Sequence, residues 1–344
     1  MKSFDLKSLV RPNIWSLSPY SSARDEFSGS EGIFLDANEN PYGSLNRYPD
    51  PHQRVLKTNL SKMKGVPVQN IFIGNGSDEV IDLIYRIFAV PGKDSVIICP
   101  PTYGMYEVSA NINGVTTVKV PLTNDFQLNI DELFSRIDND DSVKIIFACS
   151  PNNPTGNVLN DLDTLLANFN GIVVIDEAYI DFCPDKSYLN KIFEHPNLIV
   201  MQTFSKAWAL AGVRVGIAYA QKDIITLFDK TKPPYNVSKL NQETAISALA
   251  QSDEFDNRRI SILKQRSWLI ENLINLPCIK KIYPSDANFL LVEVSDADLI
   301  YNQLITAKVI VRNRSSQIKN CLRITVGTHE ENQALIDAFN NIQI

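Results

Sequence analysis

The stretch TFSKAWALAGVRVG, residues 203–216, places one lysine, Lys206, eight residues ahead of one arginine, Arg214, with only apolar residues and glycine between them. A lysine at the edge of a core ordinarily keeps its ammonium group in water and lays only its stem on apolar surface. Here two small hydroxyl residues, Thr203 and Ser205, precede it, and it lies between a buried-strand pattern, NLIVMQTF, and a turn glycine, Gly212. An amine just past a strand end, in mostly apolar surroundings, can have its pKa lowered. That is the condition a Schiff-base lysine needs.

Other residues with chemical capacity come after other strand-like runs. GNGSDEV presents Gly74, Asn75, Gly76, Ser77 and Asp78 ahead of a helical pattern. Glycines before a helix let backbone N–H groups and the helix dipole hold a phosphate. A dinucleotide fingerprint would need glycine at 79, where the chain has Glu79. A plain helix N-cap is the alternative reading of this loop. SPNNPTG carries Asn153 before Pro154, by itself a common turn. DEAY puts Asp176 at a strand end and Tyr179 three residues on; a lone carboxylate there is often only a cap. Ligands of open α/β sheets bind beyond the carboxyl ends of the strands. Read in order, the strand ends supply a phosphate cradle, an amide, a carboxylate, a phenol, a lysine and an arginine around one rim.

The elements that must position these groups are visible in the pattern. From 70 to about 220, short Val/Ile-rich runs (NIFIG, SVIICP, VTTVKVP, VKIIFACS, GIVVIDEAY, NLIVMQTFS, RVGIAYA) alternate with helical patterns. In SDEVIDLIYRIFA, for example, Val80, Ile81, Ile84, Ile87 and Phe88 recur at helical spacing. Strands apolar on both faces predict a mostly parallel sheet covered by helices. Residues 238–275 read as long helices, and the last 65 residues, with FLLVEV, VIVRN, CLRITVG and a closing helix, as a small α+β domain. The expected division is an N-terminal arm over 1–45, packing on the small domain or a partner subunit, a large domain over 46–240 and a small domain over 241–344.

The 344 residues are 44% hydrophobic and 21% charged, with net charge −6. That balance gives no reason to expect nucleic acid or an anionic membrane as partner. No apolar run approaches the roughly 20 residues that span a bilayer, and MKSFDLKSLVRPNIW has no signal-peptide pattern. The five scattered cysteines, Cys99, Cys149, Cys183, Cys278 and Cys321, read as free thiols of a cytoplasmic protein. His52, His195 and His329 have no cysteine pair near them, so no metal site is expected.

This constellation resembles the fold-type I pyridoxal phosphate enzymes of the aminotransferase superfamily, and within it the histidinol-phosphate aminotransferase family. The resemblance runs nearly end to end, through SPYSSAR, DANENPYG, RYPDP, GNGSDEVI, PPTYGMY, SPNNPTG, IDEAYIDF, TFSKAWALAGVRVG and CLRITVGTHEE. It implies a seven-stranded, mostly parallel sheet in the large domain. It implies that Lys206 holds the cofactor, pyridoxal 5′-phosphate, through its aldehyde and shuttles the reacting proton. Arg214, Thr203, Ser205 and the backbone of Gly76, Ser77 and Asp78 would hold the cofactor phosphate. Asp176 would pair with the ring nitrogen, Asn153 and Tyr179 with the phenolic oxygen, and Tyr103 would stack on the ring. Tyr48, in RYPDP, would reach the neighbouring subunit's cofactor, making the enzyme a homodimer with shared sites.

The substrate end would be read by Arg312, Arg323 and Tyr20, with Asn153 beside them; Asn38 and Glu39 lie near with no assigned role. The implied reaction joins L-histidinol phosphate and 2-oxoglutarate to imidazole acetol phosphate and L-glutamate, in histidine biosynthesis. An aromatic amino acid aminotransferase or a threonine-phosphate decarboxylase would use the same cofactor residues on the same scaffold. A cofactor-sensing transcription regulator would need an added DNA-binding domain and a basic surface. An inactive homologue would have no need to keep Lys206, Asp176, Asn153, Tyr179 and Arg214 together.

Overall fold

A computed structural model describes residues 4–21 and 32–343. Runs of Val and Ile without polar alternation have no face to give to water, so they must be covered on both sides. They form seven strands: β1 (Ile71–Gly74), β2 (Ser95–Ile98), β3 (Thr116–Lys119), β4 (Val143–Cys149), β5 (Ile172–Asp176), β6 (Leu198–Thr203) and β7 (Gly216–Tyr219). Their spatial order is β1-β7-β6-β5-β4-β2-β3. Every strand but β3, the edge, is buried almost throughout.

β7 runs antiparallel to both its neighbours, β1 and β6, while the remaining pairs are parallel. This reversal positions the site. It turns the start of β7, and Arg214 two residues ahead of it, toward the rim where β4, β5 and β6 end. Gly216 pairs with Gly74 on one side and Thr203 on the other, so the lysine turn and the glycine loop after β1 become neighbours.

Two apolar layers cover the sheet. One holds Leu56, Leu60, Ile146, Ile175, Phe204 and Trp208. The other holds Phe72, Ile84, Phe88, Tyr106, Phe147 and Phe228. The helix Ser77–Phe88 buries all five residues that its spacing marked, with Asp78 and Glu79 at its positive end and Arg86 at its negative end.

The small domain is a four-stranded antiparallel sheet: β8 (Ile279–Ile282), β9 (Phe289–Val294), β10 (Arg312–Asn313) and β11 (Cys321–Thr325), in the order β10-β11-β9-β8. One face packs on the helices Ser252–Leu273, Ala297–Thr306 and His329–Asn340. A small cluster of Tyr179, Phe182, Ala207, Ala287 and Phe289 joins the domains beneath the cleft. No helix among the described residues is long and apolar enough to cross a membrane.

Two expectations about organisation change. The first part of the arm packs on the large domain, not the small one. Its two helical turns, Leu6–Leu9 and Pro12–Trp15, bring Val10 and Ile14 onto one face, and both enter the large-domain layer beside Ile84 and Phe88. The Arg11 N–H donates to the Ile87 carbonyl at 2.9 Å, and Lys230 Nζ donates to the Trp15 carbonyl at 2.9 Å. The domain boundary also falls later than 240. The helix Lys239–Leu249 packs Ala245 and Leu249 into the large-domain core, so the chain changes domain along the helix Ser252–Leu273.

The close approach at Gly216 gives a test. A Cβ there would meet Ser77 N at 2.3 Å and Gly76 C at 2.4 Å, both backbone atoms that cannot rotate away. Gly216→Ala is expected to destabilise the fold by about 1–3 kcal/mol or more, the range of overpacking strain. Gly212→Ala, where nothing lies within 4 Å, should change stability by less than about 0.5 kcal/mol. Urea unfolding of the two variants checks the difference.

Candidate active site

The strand ends of the large domain and the arginines of the small one enclose a cleft of about 400 Å³. It is lined by Ser77, Asp78, Tyr103, Asn153, Asp176, Tyr179, Thr203, Ser205, Lys206, Arg214, Arg312 and Arg323, all expected from the sequence, and by Cys149, Ala178, Ala211 and Arg314, which were not.

Lys206 sits in the turn immediately after β6, as its position past a strand end predicts. Gly212 does not make that turn. It lies in a 3-10 segment, Ala211–Val213, while Ala209 and Arg214 take the left-handed conformation with φ of 56° and 55°. Lys206 Nζ makes no hydrogen bond or ion pair among the described residues and stands 5.5 Å from the Tyr179 ring centre. Burial first, then the Arg323 charge, lowers its pKa below the ordinary lysine value.

Asp176, the last residue of β5, is 3% exposed. Its Oδ2 accepts from Tyr106 Oη at 2.6 Å and its Oδ1 from the Ala178 N–H at 3.1 Å. Burial raises its pKa, with the hydrogen bonds opposing. The next helical element in the chain is a 3-10 turn, Ile180–Phe182, so Asp176 caps no α-helix.

Tyr106 carries this arrangement and went unread in the sequence. It is fully buried, stacked on Phe147 with ring centres 4.6 Å apart, and its carbonyl accepts from Tyr85 Oη at 2.8 Å. The available signal was its place in PPTYGMY, three residues after Tyr103, whose ring it meets edge-on with centres 5.5 Å apart. Cys149 had no such signal: only the pairing of β4 with β5 sets it opposite Asp176.

At one end of the cleft, the N-terminus of the helix Ser77–Phe88 faces Thr203, Ser205 and Arg214. Gly76 has φ 81°, and a Cβ on it would lie 2.5 Å from Arg214 Nη2, so only glycine admits the guanidinium here. Arg214 Nη2 pairs with Asp78 Oδ2 at 3.2 Å, and Tyr103 Oη donates to Asp78 Oδ1 at 3.1 Å. Thr203 Oγ1 donates to Ser205 Oγ at 3.0 Å. Glycine backbone, helix end, hydroxyls and a cation together can hold a phosphate group.

SPNNPTG divides its two asparagines by task. Asn152 is buried and bonds Thr155 Oγ1 at 2.7 Å and the Pro101 carbonyl at 2.9 Å, fixing the loop. Asn153 Oδ1 accepts from Arg323 Nη1 across 170 residues of sequence. Arg312 pairs with Arg323 in the β10–β11 register. Among the described residues no His, Cys, Asp and Glu cluster could hold a metal, and all five cysteines are free.

Two expected residues lie outside the cleft of their own chain. Tyr20 is 74% exposed and lines a groove with Pro51, His52, Thr226 and Lys230. Docking of Val10 and Ile14 on the large domain carries it there, so it does not join Arg312 and Arg323 within one chain. Tyr48 lines another groove and stacks on Tyr235 with ring centres 4.3 Å apart. Glu39 gains a role there: Oε1 accepts from the Tyr48 N–H and Oε2 from Arg47 Nη1, each at 2.6 Å. It thereby fixes the turn that presents Tyr48. Asn38 lines the same groove.

Residues 33–339 match the family model for aminotransferase class I and II. A histidinol-phosphate aminotransferase of Cytophaga hutchinsonii is 52% identical over 98% of this chain and 99% of its own length. One from Christiangramia forsetii is 50% identical over 100% and 99%. Among solved structures, the histidinol-phosphate aminotransferase of Sinorhizobium meliloti in complex with pyridoxal-5′-phosphate superposes with TM-score 0.78 at 24% identity, covering 86% of this chain and 82% of that one; it establishes likeness of fold.

The Tyr106–Asp176 bond is expected to stabilise the fold in a pH-dependent way. A hydrogen bond to a charged carboxylate contributes about 1.5–3 kcal/mol. Donation favours the ionised form, so the contribution is present above the folded-state titration of Asp176 and declines as pH falls through it. Because burial raises that titration, the decline should begin above the ordinary carboxylate range. A double-mutant cycle of Tyr106→Phe and Asp176→Asn, read by urea unfolding across pH, measures it; a coupling energy flat with pH would contradict it.

Proposed function

The chain belongs to the class I and II aminotransferases, and from that membership we propose that it exchanges the amino group of L-histidinol phosphate with 2-oxoglutarate, forming imidazole acetol phosphate and L-glutamate in histidine biosynthesis. Pyridoxal 5′-phosphate, the family's cofactor, supplies when bound an electron sink for the bond to the donor's α-hydrogen. The cleft suits it: an uncommitted amine, a buried carboxylate and a glycine-backed phosphate cradle open into one cavity. The observation that carries the reading is Lys206, an amine with lowered pKa and no hydrogen bond or ion pair among the described residues, facing the same cleft as the buried Asp176.

In this reading each side chain has a task fixed by its environment. Lys206 would hold the cofactor covalently at rest; once the donor's amine has displaced it, the freed Lys206 Nζ would be the general base for the donor's α-proton, its lowered pKa keeping a larger fraction neutral at physiological pH. Asp176, buried and braced by Tyr106, would hold a protonated ring nitrogen by charge, and that cation would restore the carboxylate's preference for ionisation. Tyr179 and Asn153 would hydrogen-bond the ring oxygen, and Tyr103 would cover the ring face. The Ser77 helix end, Thr203, Ser205 and Arg214 would hold the cofactor phosphate. Arg312 and Arg323 receive the anionic end of either substrate by charge-assisted bonds, and the Asn153–Arg323 contact ties that end to the ring contact.

The proposal includes a homodimer and a cytoplasmic location. Leu35, Tyr42, Leu45 and Leu240 are large apolar residues, each more than half exposed, on or near the groove that presents Tyr48. Apolar exposure of that kind marks an interaction surface. A second copy seated there would bring Tyr48 to its neighbour's cofactor phosphate and give Tyr20 a site it lacks in its own chain.

The purified enzyme is expected to be yellow. Borohydride should remove the colour and fix the cofactor to the peptide containing Lys206, and Lys206→Ala should abolish turnover without unfolding the protein. L-histidinol phosphate should convert the cofactor spectrum in a half-reaction with higher kcat/KM than phenylalanine or tyrosine; the reverse order would assign the enzyme to aromatic amino acids. Attachment at another lysine would remove the mechanism altogether.

Subunit mixing tests the shared site. Tyr48→Ala and Lys206→Ala proteins, each inactive alone, should recover activity when unfolded together and refolded, because one site of each mixed dimer receives both native residues. No recovery would place Tyr48 outside its neighbour's site.

A further inference from the structure

Resting on the reading above, we propose that Arg314 is a third anion-binding residue of the cleft, the one that sets preference for a doubly charged phosphate ester over a less charged end group. Strand register places it. Arg312 lies directly opposite Arg323 in the antiparallel pair β10–β11, so the two side chains share a face. Arg314 is two residues beyond Arg312, and its N–H donates to the Cys321 carbonyl at 2.9 Å, which continues the ladder. Period-two alternation therefore puts Arg314 on the same face, and all three arginines line the cleft. The turn after β10 is fixed: Asn313 Nδ2 donates to Asp298 Oδ1 at 2.6 Å, and the Ser315 N–H to Asn313 Oδ1 at 2.8 Å.

Like charges placed opposite and diagonal in a sheet destabilise it, yet none of the three forms an ion pair among the described residues. The two carboxylates of the cleft are committed elsewhere, Asp78 to Arg214 and Tyr103, and Asp176 to Tyr106. Arg323 Nη1 has Asn153, but the Nε atoms of both Arg314 and Arg323 are buried without an acceptor among the described residues. A buried unpartnered donor is unfavourable, so the fold alone gives no reason to keep this arrangement. Burial, then the charges of Arg323 and Arg312, pulls the Arg314 guanidinium down to about 10, still cationic at neutral pH. A hydroxyl end group would leave the repulsion uncompensated, and a carboxylate brings one charge and two oxygens. A phosphate ester brings three acceptor oxygens and close to two charges once its second proton leaves near pH 6, which suits three convergent guanidinium groups.

The test uses the loaded enzyme, in which the cofactor phosphate already fills the cradle at Ser77 and Arg214. The quantity read is the ratio of kcat/KM for L-histidinol phosphate to that for L-histidinol, with competitive inhibition by inorganic phosphate as a second readout. Arg314→Met should lower the ratio and weaken phosphate inhibition by roughly 10- to 100-fold, the effect of losing one charge-assisted interaction. Arg314→Lys should restore part of both. In the wild type the ratio should climb as pH rises through about 6, following the dianion, and climb less in Arg314→Met. Without substrate, Arg314→Met should melt no lower than wild type, because a repelled charge has been removed. If the wild type prefers the phosphorylated donor and Arg314→Met keeps that preference in full, the assignment of Arg314 is overturned and the proposed reaction stands. Equal loss toward both donors with a lowered melting temperature would make Arg314 a structural residue instead. A wild type with no preference for the phosphorylated donor would overturn the substrate reading and the role of Arg314 together.

Discussion

Desolvation of charge between the two domains is the constraint on which the remaining structure depends. Asp176 is buried and Lys206 is partly withdrawn from water, and burial shifts both toward their neutral forms. Neither is matched to the other by a direct ion pair. Instead, the carboxylate is held by a phenol and a backbone N–H, while the amine, over the Tyr179 ring, has no hydrogen bond or ion pair among the described residues. Such a pair is unfavourable in the fold by itself. The small domain repeats the pattern with opposite charge, where three arginines line the cleft and none forms an ion pair among the described residues.

The scaffold tolerates this strain because it is well packed elsewhere. Both faces of the seven-stranded sheet are covered by apolar layers, and the functional groups are confined to turns just beyond the strand ends. Close contacts hold those turns. Gly216 lies against the backbone of Gly76 and Ser77, and Asn152 anchors the loop that presents Asn153. The junction cluster around Tyr179 and Phe289 then seats the arginine strands over the rim. Stability and chemistry therefore occupy different parts of each element, as they do in many sites where activity needs unsatisfied polar groups.

The sequence by itself determined the strands and the residues at their ends. Short Val/Ile-rich runs alternating with helical patterns point to strands covered on both faces, which β3 alone of the seven is not, and a helix that buries Val80, Ile81, Ile84, Ile87 and Phe88 presents one face to a sheet. Lys206, Asp176, Asn153, Tyr179 and Arg214 could be singled out because they follow one another on successive strand ends, although each local signal alone reads as a turn or a cap. What only the tertiary structure decided depends on contacts between distant segments. Reversal of β7, which brings Arg214 to the rim, is set by pairing with β1 and β6, and no local pattern in RVGIAYA states a direction. Tyr106 reads as one more apolar helix residue until its hydroxyl meets a carboxylate 70 positions away. Arg314 reads as a surface residue of a turn until register places it beside Arg312 and Arg323. The first part of the arm lies on the large domain for the same reason: only shape and packing choose the layer that accepts Val10 and Ile14. Periodicity fixes which side of an element is buried, whereas the partner on that side is chosen by three-dimensional fit.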